Sequence, residues 1–201
     1  YNNASNVGGG IYCTDNTIML LDSINRCNLH SNHASFGRDL WTSTAQHIVV
    51  DTFSVLHPTK VFAYPFNLYT FDILNGMIEQ VAADLYVSPD GDDTNSGLEP
   101  SSPLKTINSA ICRILPENNT TSTITLSEGT YSRTSSGEIF PLFLPDNTDL
   151  TGASRENTIL DAEGSTRVMI IDENLNNRIS KLTITGGKLG GISHGAGILC
   201  E

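Results

Sequence analysis

Residues 8–13 read Gly-Gly-Gly-Ile-Tyr-Cys, and residues 195–200 read Gly-Ala-Gly-Ile-Leu-Cys, an offset of 187 residues. Residues 37–41, Gly-Arg-Asp-Leu-Trp, stand where a third copy is expected. Glycine takes a positive φ at little cost, so each stretch predicts a tight corner followed by a short strand. A corner and strand that return along the chain are typical of a coil rather than a single sheet.

Short β-branched runs separated by polar turns occur elsewhere in the chain, about ten residues apart. These runs are Ile18–Leu21, Ile48–Val50, Ile124–Leu126, Thr158–Leu160, Val168–Ile171 and Ile179–Ile184. Parallel strands in an ordinary sheet need long helical crossovers, which these spacings do not leave room for. A coil stacks parallel strands without crossovers. The sequence therefore predicts an all-β fold, a right-handed parallel β-helix (solenoid).

One segment has a helical pattern. Between Ser102 and Pro116, the apolar residues Leu104, Ile107, Ile111 and Ile114 fall on one helical face. Ser102 suits the N-cap, Pro103 the first helical position, and Pro116 the end. We therefore predict one short α-helix over about residues 103–115, which caps the open end of a coil.

Residues 84–97, Asp-Leu-Tyr-Val-Ser-Pro-Asp-Gly-Asp-Asp-Thr-Asn-Ser-Gly, followed by Pro-Leu-Lys-Thr-Ile at 103–107, resemble the opening of pectate-lyase-like right-handed parallel β-helix repeat proteins of the secreted or surface bacterial type. The resemblance continues through residues 126–131, 150–153, 158–164 and 182–187. It implies an extracellular or cell-surface location. That superfamily holds lyases, hydrolases, adhesins and repetitive surface proteins, so the resemblance implies a fold and not one activity.

The same sequence patterns divide the chain into three segments. Residues 1–47 are predicted to be the terminal rungs of a preceding β-helix, and residues 84–201 the N-terminal cap and first rungs of a second β-helix. Residues 48–83 are predicted to be a linker or closing segment of strands, rich in aromatic residues. Because the chain starts without Met or a signal segment, we expect it to be an excerpt of a longer polypeptide.

Charge and cysteine usage restrict the partners. The formal net charge is −11, which disfavours nucleic acid and anionic membranes, since both require basic side chains. No run of about eighteen apolar residues is present, so no membrane insertion is expected. The four cysteines lack metal-site spacing. The alternation in 11–13 and 198–200 predicts that Cys13 and Cys200 are free thiols pointing into the core.

One cluster of oxygen ligands stands out. Asp90, Asp92, Asp93 and Asn95 lie within six residues, and Ca²⁺ takes about six to eight oxygen ligands from flexible loops. The spacing does not match that of an EF-hand, and Asp and Asn also form turns by binding their own backbone. A calcium site and a plain turn are the two interpretations of this loop.

No group of residues in the sequence has a spacing that by itself indicates a catalytic site. Asp161 and Asp172 are candidates for the paired carboxylates of a glycosidase on neighbouring rungs, although Asp161 stands in a predicted turn. The basic residues are scattered singly, and the histidines lack a partner at a diagnostic spacing. We therefore predict no catalytic residues and no catalytic cofactor.

Three functions remain open. The first is a non-catalytic extracellular or cell-surface protein with a structural or adhesive role, self-associating head to tail into filaments through its end rungs. The second is a carbohydrate-binding module that stacks glycans on aromatic side chains. The third is a pectate-lyase-like polysaccharide lyase or hydrolase. The aromatic residues of the linker serve either sugar stacking or packing: Phe53, Phe62, Tyr64, Phe66, Tyr69 and Phe71.

Overall fold

A computed structural model describes residues 2–4, 7–115, 120–172, 176–190 and 195–200. The chain forms two compact units, Tyr1–Gln80 and Val81–Glu201. The predicted end of the helix at Pro116 and the start and end of the chain lie outside the described residues. Among the described residues, no helix has the length and apolar character needed to cross a bilayer.

The first unit is built from two parallel sheets. Its elements are β1 (Ile11–Cys13), β2 (Leu40–Thr42), β3 (Gln46–Val55), β4 (Ala63–Tyr64), a 3-10 turn (Phe66–Leu68) and β5 (Tyr69–Ile78). One sheet has the order β1-β2-β4, and the other pairs β3 with β5. Ile11 lies opposite Leu40, and Leu40 opposite Ala63, so successive turns of the chain stack in register.

The second unit has three parallel sheets. Its elements are β6 (Leu85–Val87), α1 (Ile107–Arg113), β7 (Ser122–Leu126), β8 (Gly129–Ser132), β9 (Leu142–Phe143), β10 (Thr148–Thr151), β11 (Thr158–Asp161), β12 (Met169–Ile171), β13 (Ile179–Ser180), β14 (Thr183–Thr185) and β15 (Ile198–Cys200). The sheet orders are β13-β10-β7-β6, β14-β11-β8 and β15-β12-β9. Each coil contributes one strand to each sheet, which confirms the predicted parallel β-helix.

The core of the second unit is a stack of inward side chains. Strand β7 alternates buried and half-buried residues, as a strand with one face on the core must. Leu85, Ile124 and Leu150 are aligned on successive strands and are all fully buried. Burying each such side chain contributes about 1.5–3 kcal/mol, so the stack is a main source of stability.

Glycine makes the predicted corners. Gly8, Gly37 and Gly195 all have φ near +60°. A Cβ at any of them would meet the carbonyl oxygen three residues later at 2.5 Å or less. Tyr12 lies opposite Trp41, which confirms residues 37–41 as a further copy of the motif of residues 8–13.

The helix is shorter than predicted. It begins after Thr106, whose side chain accepts a hydrogen bond from Ser109 N, so the predicted N-cap at Ser102 and the first turn at Pro103 are wrong. Leu104 instead forms a parallel bridge with Val87, and a residue hydrogen-bonded in this way cannot join the helix. All four residues of the predicted apolar face are buried, but only Ile107 and Ile111 lie within the helix, since Leu104 precedes it and Ile114 is its C-cap. The helix contacts β6 and β9, the first strands of two sheets.

Two further predictions have different outcomes. All four cysteines are free thiols, but only Cys112 is buried; Cys13 is half-buried and Cys200 is exposed. Cys200 lies two residues after Ile198 on the same face, but the predicted burial of its thiol is wrong, because β15 belongs to the last described coil and no described strand covers it. Residues 48–83 contain β4, β5 and most of β3, and the division at 47 and 83 stays a prediction.

Candidate functional site

The loop proposed for calcium is tied to the start of α1. Oδ1 of Asp93 accepts hydrogen bonds from the backbone N–H groups of Lys105 and Thr106, both at 2.9 Å, and Oδ2 accepts from Oγ1 of Thr106 at 2.9 Å. Asp92 binds both the N–H and the hydroxyl of Thr94 at 2.8 Å, and the Thr94 N–H is the main cause of its lowered pKa. The two carboxylates therefore bind different partners.

Three backbone carbonyl oxygens of the loop bind a cation from the protein itself. The Arg113 guanidinium donates to the carbonyl oxygens of Asp93 at 2.6 Å, Asn95 at 2.5 Å and Ser96 at 3.3 Å. The Asn95 side chain donates to the carbonyl of Pro103 at 2.9 Å. Arg113 was not predicted as part of this loop, and its place in the last turn of α1 gives no sequence signal for it.

Asp90 and Asp92 are exposed, and Asp93 and Asn95 are half-buried. Within the described part of the chain, no group of three or more His, Cys, Asp or Glu side chains is placed to hold a metal ion. Calcium binding by Asp90, Asp92, Asp93 and Asn95 stays a prediction, and the contacts of Asp93 and Arg113 give the loop a structural role.

The carboxylate of Glu138 binds backbone N–H groups at the start of α1. Glu138 is fully buried and accepts hydrogen bonds from the N–H of Ile107 at 2.6 Å and from the N–H and side-chain amide of Asn108 at 3.2 and 2.6 Å. Burial raises the pKa of Glu138, against the lowering effect of these bonds. Sequence reasoning missed Glu138, because its partners lie about thirty residues away.

The proposed glycosidase carboxylates lie at the end of β11, for Asp161, and directly after β12, for Asp172. Oδ1 of Asp161 accepts from the N–H of Glu163 at 2.8 Å, which fits the predicted turn. Glu163 is exposed and accepts from the hydroxyls of Thr134 and Ser132, which lower its pKa in that order. Asp172 is buried. Asp161 therefore has the structural role that the predicted turn gives it.

An outward row of aromatic side chains crosses the first unit. Tyr12, Trp41 and Tyr64 lie opposite one another on β1, β2 and β4, and we call them the aromatic strip. The rings of Tyr12 and Trp41 stack with centroids 4.7 Å apart, and Tyr64 packs on Phe36 at 5.2 Å. Tyr12 is 54% exposed, and the other two are half-buried.

The other aromatic residues of the linker mostly serve packing. Phe53, Phe62 and Tyr69 are buried, and Phe53 contacts both Phe62 and Phe71. Burial of Tyr69 raises its pKa. Packing is therefore confirmed for the buried aromatics, whereas Tyr64 belongs to the strip and Phe66 is exposed. The strip is the exposed aromatic surface that the strand register assembles.

Comparison with known proteins yields one family. Searches of the curated proteins and of the solved structures found no match. A family model described as protein of unknown function (DUF1565) matches residues 89–189, half of the chain. The matched range covers the loop of Asp90–Asn95, α1 and most strands of the second unit. The chain therefore belongs to the DUF1565 family.

Proposed function

We propose that this chain is part of an extracellular or cell-surface β-solenoid with a non-catalytic, adhesive role, and that the aromatic strip is its binding surface. The observation that carries the proposal is the register that places Tyr12, Trp41 and Tyr64 side by side on the outside of three strands. Large aromatic side chains aligned on the outside of neighbouring strands, with Tyr12 more than half exposed, form a surface of the kind that marks an interaction site. The stacking of Tyr12 on Trp41 holds the row rigid.

Neutral glycans fit this surface best. Tyr and Trp present an apolar ring with one polar atom, which suits a ligand that has both apolar faces and hydroxyl groups. The chain carries 22 acidic against 11 basic residues, so acidic polysaccharides are repelled at long range. A neutral glycan ligand also distinguishes this function from a pectate-lyase-like activity, whose substrate is a polyanion.

The single tryptophan makes the proposal testable. Because Trp41 is the only tryptophan, its fluorescence reports on the strip alone. We expect a neutral polysaccharide from a panel to shift this emission and to retard the protein in affinity electrophoresis. Tyr12→Ala should weaken the retardation at least about tenfold, whereas Tyr86→Ala, which removes an outward tyrosine of the second unit, should not.

Three results would count against this function. If no neutral polysaccharide changes either signal, the strip does not bind glycans. An equal loss with Tyr86→Ala would mean that the strip is not the surface responsible. Turnover of polygalacturonate with added Ca²⁺, followed by the absorbance of the unsaturated product, would favour the lyase function instead.

We also propose head-to-tail association of end rungs as a second, independent role. It is supported by the last described coil, where the inward residues Ile179, Ile184 and Ile198 are only half-buried. Their counterparts one coil earlier, Leu150, Leu160 and Met169, are fully buried. Open strand edges over an apolar core favour pairing with another chain. Electron microscopy should show filaments, and a monodisperse monomer at high concentration would contradict this role.

A further inference from the structure

Among the residues that the structure describes, the most exposed aliphatic side chains lie on one loop of the first unit. Residues 14–26, which we call the aliphatic loop, follow β1 and contain no strand, so the strand run predicted at Ile18–Leu21 is wrong. Its Ile18, Leu20 and Ile24 are 66%, 91% and 88% exposed. Single exposed aliphatic residues are normal, but three within seven residues form a patch of the kind that marks an interaction surface.

The aliphatic loop is held in place by its own polar residues. Asp22 accepts hydrogen bonds from the N–H groups of Ile24 at 2.7 Å and Asn25 at 3.0 Å. Arg26 forms a two-bond ion pair with Asp72 on β5, at 2.9 and 2.8 Å. A loop fixed at this end loses little conformational entropy on binding, which favours association.

The other end of the loop is fixed to the buried side chain of Gln46. The N–H of Met19 donates to Oε1 of Gln46 at 3.0 Å, and Nε2 of Gln46 donates to the carbonyl of Thr17 at 2.6 Å. Ile18 lies between these two bonds. The direction in which Leu20 and Ile24 project is therefore set by contacts on both sides.

A groove of about 330 Å³ lies beside the loop in the same unit. Its apolar lining includes Ile18, Leu68 and Tyr69, and its polar lining includes His47 and Thr70. The Nδ1 atom of His47 lies 2.8 Å from the hydroxyl of Thr70. A projecting apolar side chain and an apolar-lined groove thus occupy one surface, with Ile18 common to both.

The local charges allow the same pairing. Among the described residues that line the groove, none is acidic, although the chain has 22 acidic residues. The aliphatic loop carries Asp15 and Asp22, and its one basic residue is paired with Asp72. The acidic loop of another copy therefore meets little electrostatic repulsion at the groove.

We propose that a second copy of this chain occupies the groove, in a two-fold contact that places Leu20 of each copy in the groove of the other. A two-fold interface requires one surface with both complementary parts, which the loop and the groove supply. Such a contact is closed, so it ends at a dimer. This inference does not rest on glycan binding or on filament formation.

Sedimentation velocity of the full chain over a range of concentrations tests the proposal. We expect a reversible monomer–dimer equilibrium. Leu20→Ser with Ile24→Ser removes the projecting side chains, and Ala45→Trp fills the groove from an exposed position. Each variant should weaken dimerisation at least about tenfold, because burial of one large aliphatic side chain already corresponds to such a factor. Leu98→Ser, at an exposed leucine of the second unit, is the matched control and should dimerise normally.

The proposal fails if the parent chain remains a monomer at the highest concentration, since a second copy is then not the occupant. It also fails if both variants dimerise as the parent does. Growth beyond a dimer that neither variant reduces would show association through another surface, such as the end rungs. Circular dichroism of each variant verifies that the solenoid is intact.

Discussion

Asp93 shows how one side chain organises a loop of this solenoid. Its three hydrogen bonds join the loop after β6 to Lys105 and Thr106, just before α1. We expect Asp93→Ala to lower the free energy of unfolding by about 1–2 kcal/mol, as the loss of a helix-end acceptor does. Asp92→Ala, which removes contacts with exposed Thr94 only, should cost less. Urea unfolding of both variants measures the difference, and equal losses would contradict it.

The same residues decide the calcium prediction. If Asp90, Asp92, Asp93 and Asn95 bind Ca²⁺, millimolar Ca²⁺ should raise the melting temperature of the parent protein by mass action. The double substitution Asp92→Ala with Asp93→Ala should remove that rise. If Ca²⁺ raises the melting temperature of the parent protein no more than Mg²⁺ does, the loop is a turn closed by Arg113.

His33 gives the first unit a dependence on pH. The side chain is buried, and burial together with the charge of Arg38 lowers its pKa from 6.5 to about 4. Between these values the unfolded chain binds a proton that the folded chain does not, so the unit loses stability as pH falls from about 6.5 to 4. The loss is on the order of 2–3 kcal/mol.

Replacing His33 with Gln should flatten the stability curve in that range. Asp39 has an effect of opposite sign, since burial raises its pKa, but it is present in parent and variant alike. Urea unfolding at pH 7 and pH 5 of both proteins isolates the histidine. A parent and variant with the same difference between the two pH values would refute this assignment.

At the scale of the element, α1 depends on acceptors outside itself. Its seven residues are too few to form a stable helix alone, so packing and capping must hold it. Glu138 accepts the N–H groups of Ile107 and Asn108, and Thr106 accepts that of Ser109. The apolar face of the helix is buried at the same time. Two hydrogen-bond acceptors and one buried apolar face therefore hold the helix that caps the second unit.

Removing the buried acceptor should release the helix. We expect Glu138→Ala to cost about 3 kcal/mol, because it leaves the buried donors of Ile107 and Asn108 without a partner. Glu128→Ala is the control, since Glu128 is exposed and its bond to Asn157 is on the surface. Chemical denaturation gives both values. A Glu138 variant within about 0.5 kcal/mol of the Glu128 variant would show that the helix does not need this carboxylate.

At the scale of the whole molecule, each coil is stabilised by its neighbours along the chain. Within the second unit, Leu150 is aligned between Ile124 and Ile179 and is fully buried, whereas Ile179 is half-buried. In such stacks, stability is close to a sum of terms between adjacent repeats. A side chain with neighbours on both sides should therefore contribute more than one at an end.

Alanine substitutions along this stack test that gradient. Leu150→Ala should cost about 3–5 kcal/mol, within the range measured for large-to-small changes in closed cores. Ile179→Ala should cost about half as much or less, since its surroundings are already open. Equilibrium unfolding of both variants provides the comparison, and an equal cost at the two sites would argue against stability by adjacent coils.

The local chemistry of the sequence determined the fold class. Gly8, Gly37 and Gly195 mark corners because only glycine fits their φ and the approach of a carbonyl oxygen. Alternation in runs such as Ser122–Leu126 determined which side chains face the core. The apolar spacing of Ile107 and Ile111 determined a helical face. These features depend on a few adjacent residues, so the sequence alone predicts them.

Contacts between coils were decided only by the tertiary structure. The paired residues Ile11 and Leu40 are 29 positions apart, but Leu40 and Ala63 are only 23 apart. Because coil lengths are unequal, no fixed period predicts that Tyr12, Trp41 and Tyr64 form one strip. For the same reason, Glu138 and Arg113 gave no sign of their partners on α1 and in the Asp93 loop. Register comes from the packing of whole coils, and the surface that we propose for binding depends on register.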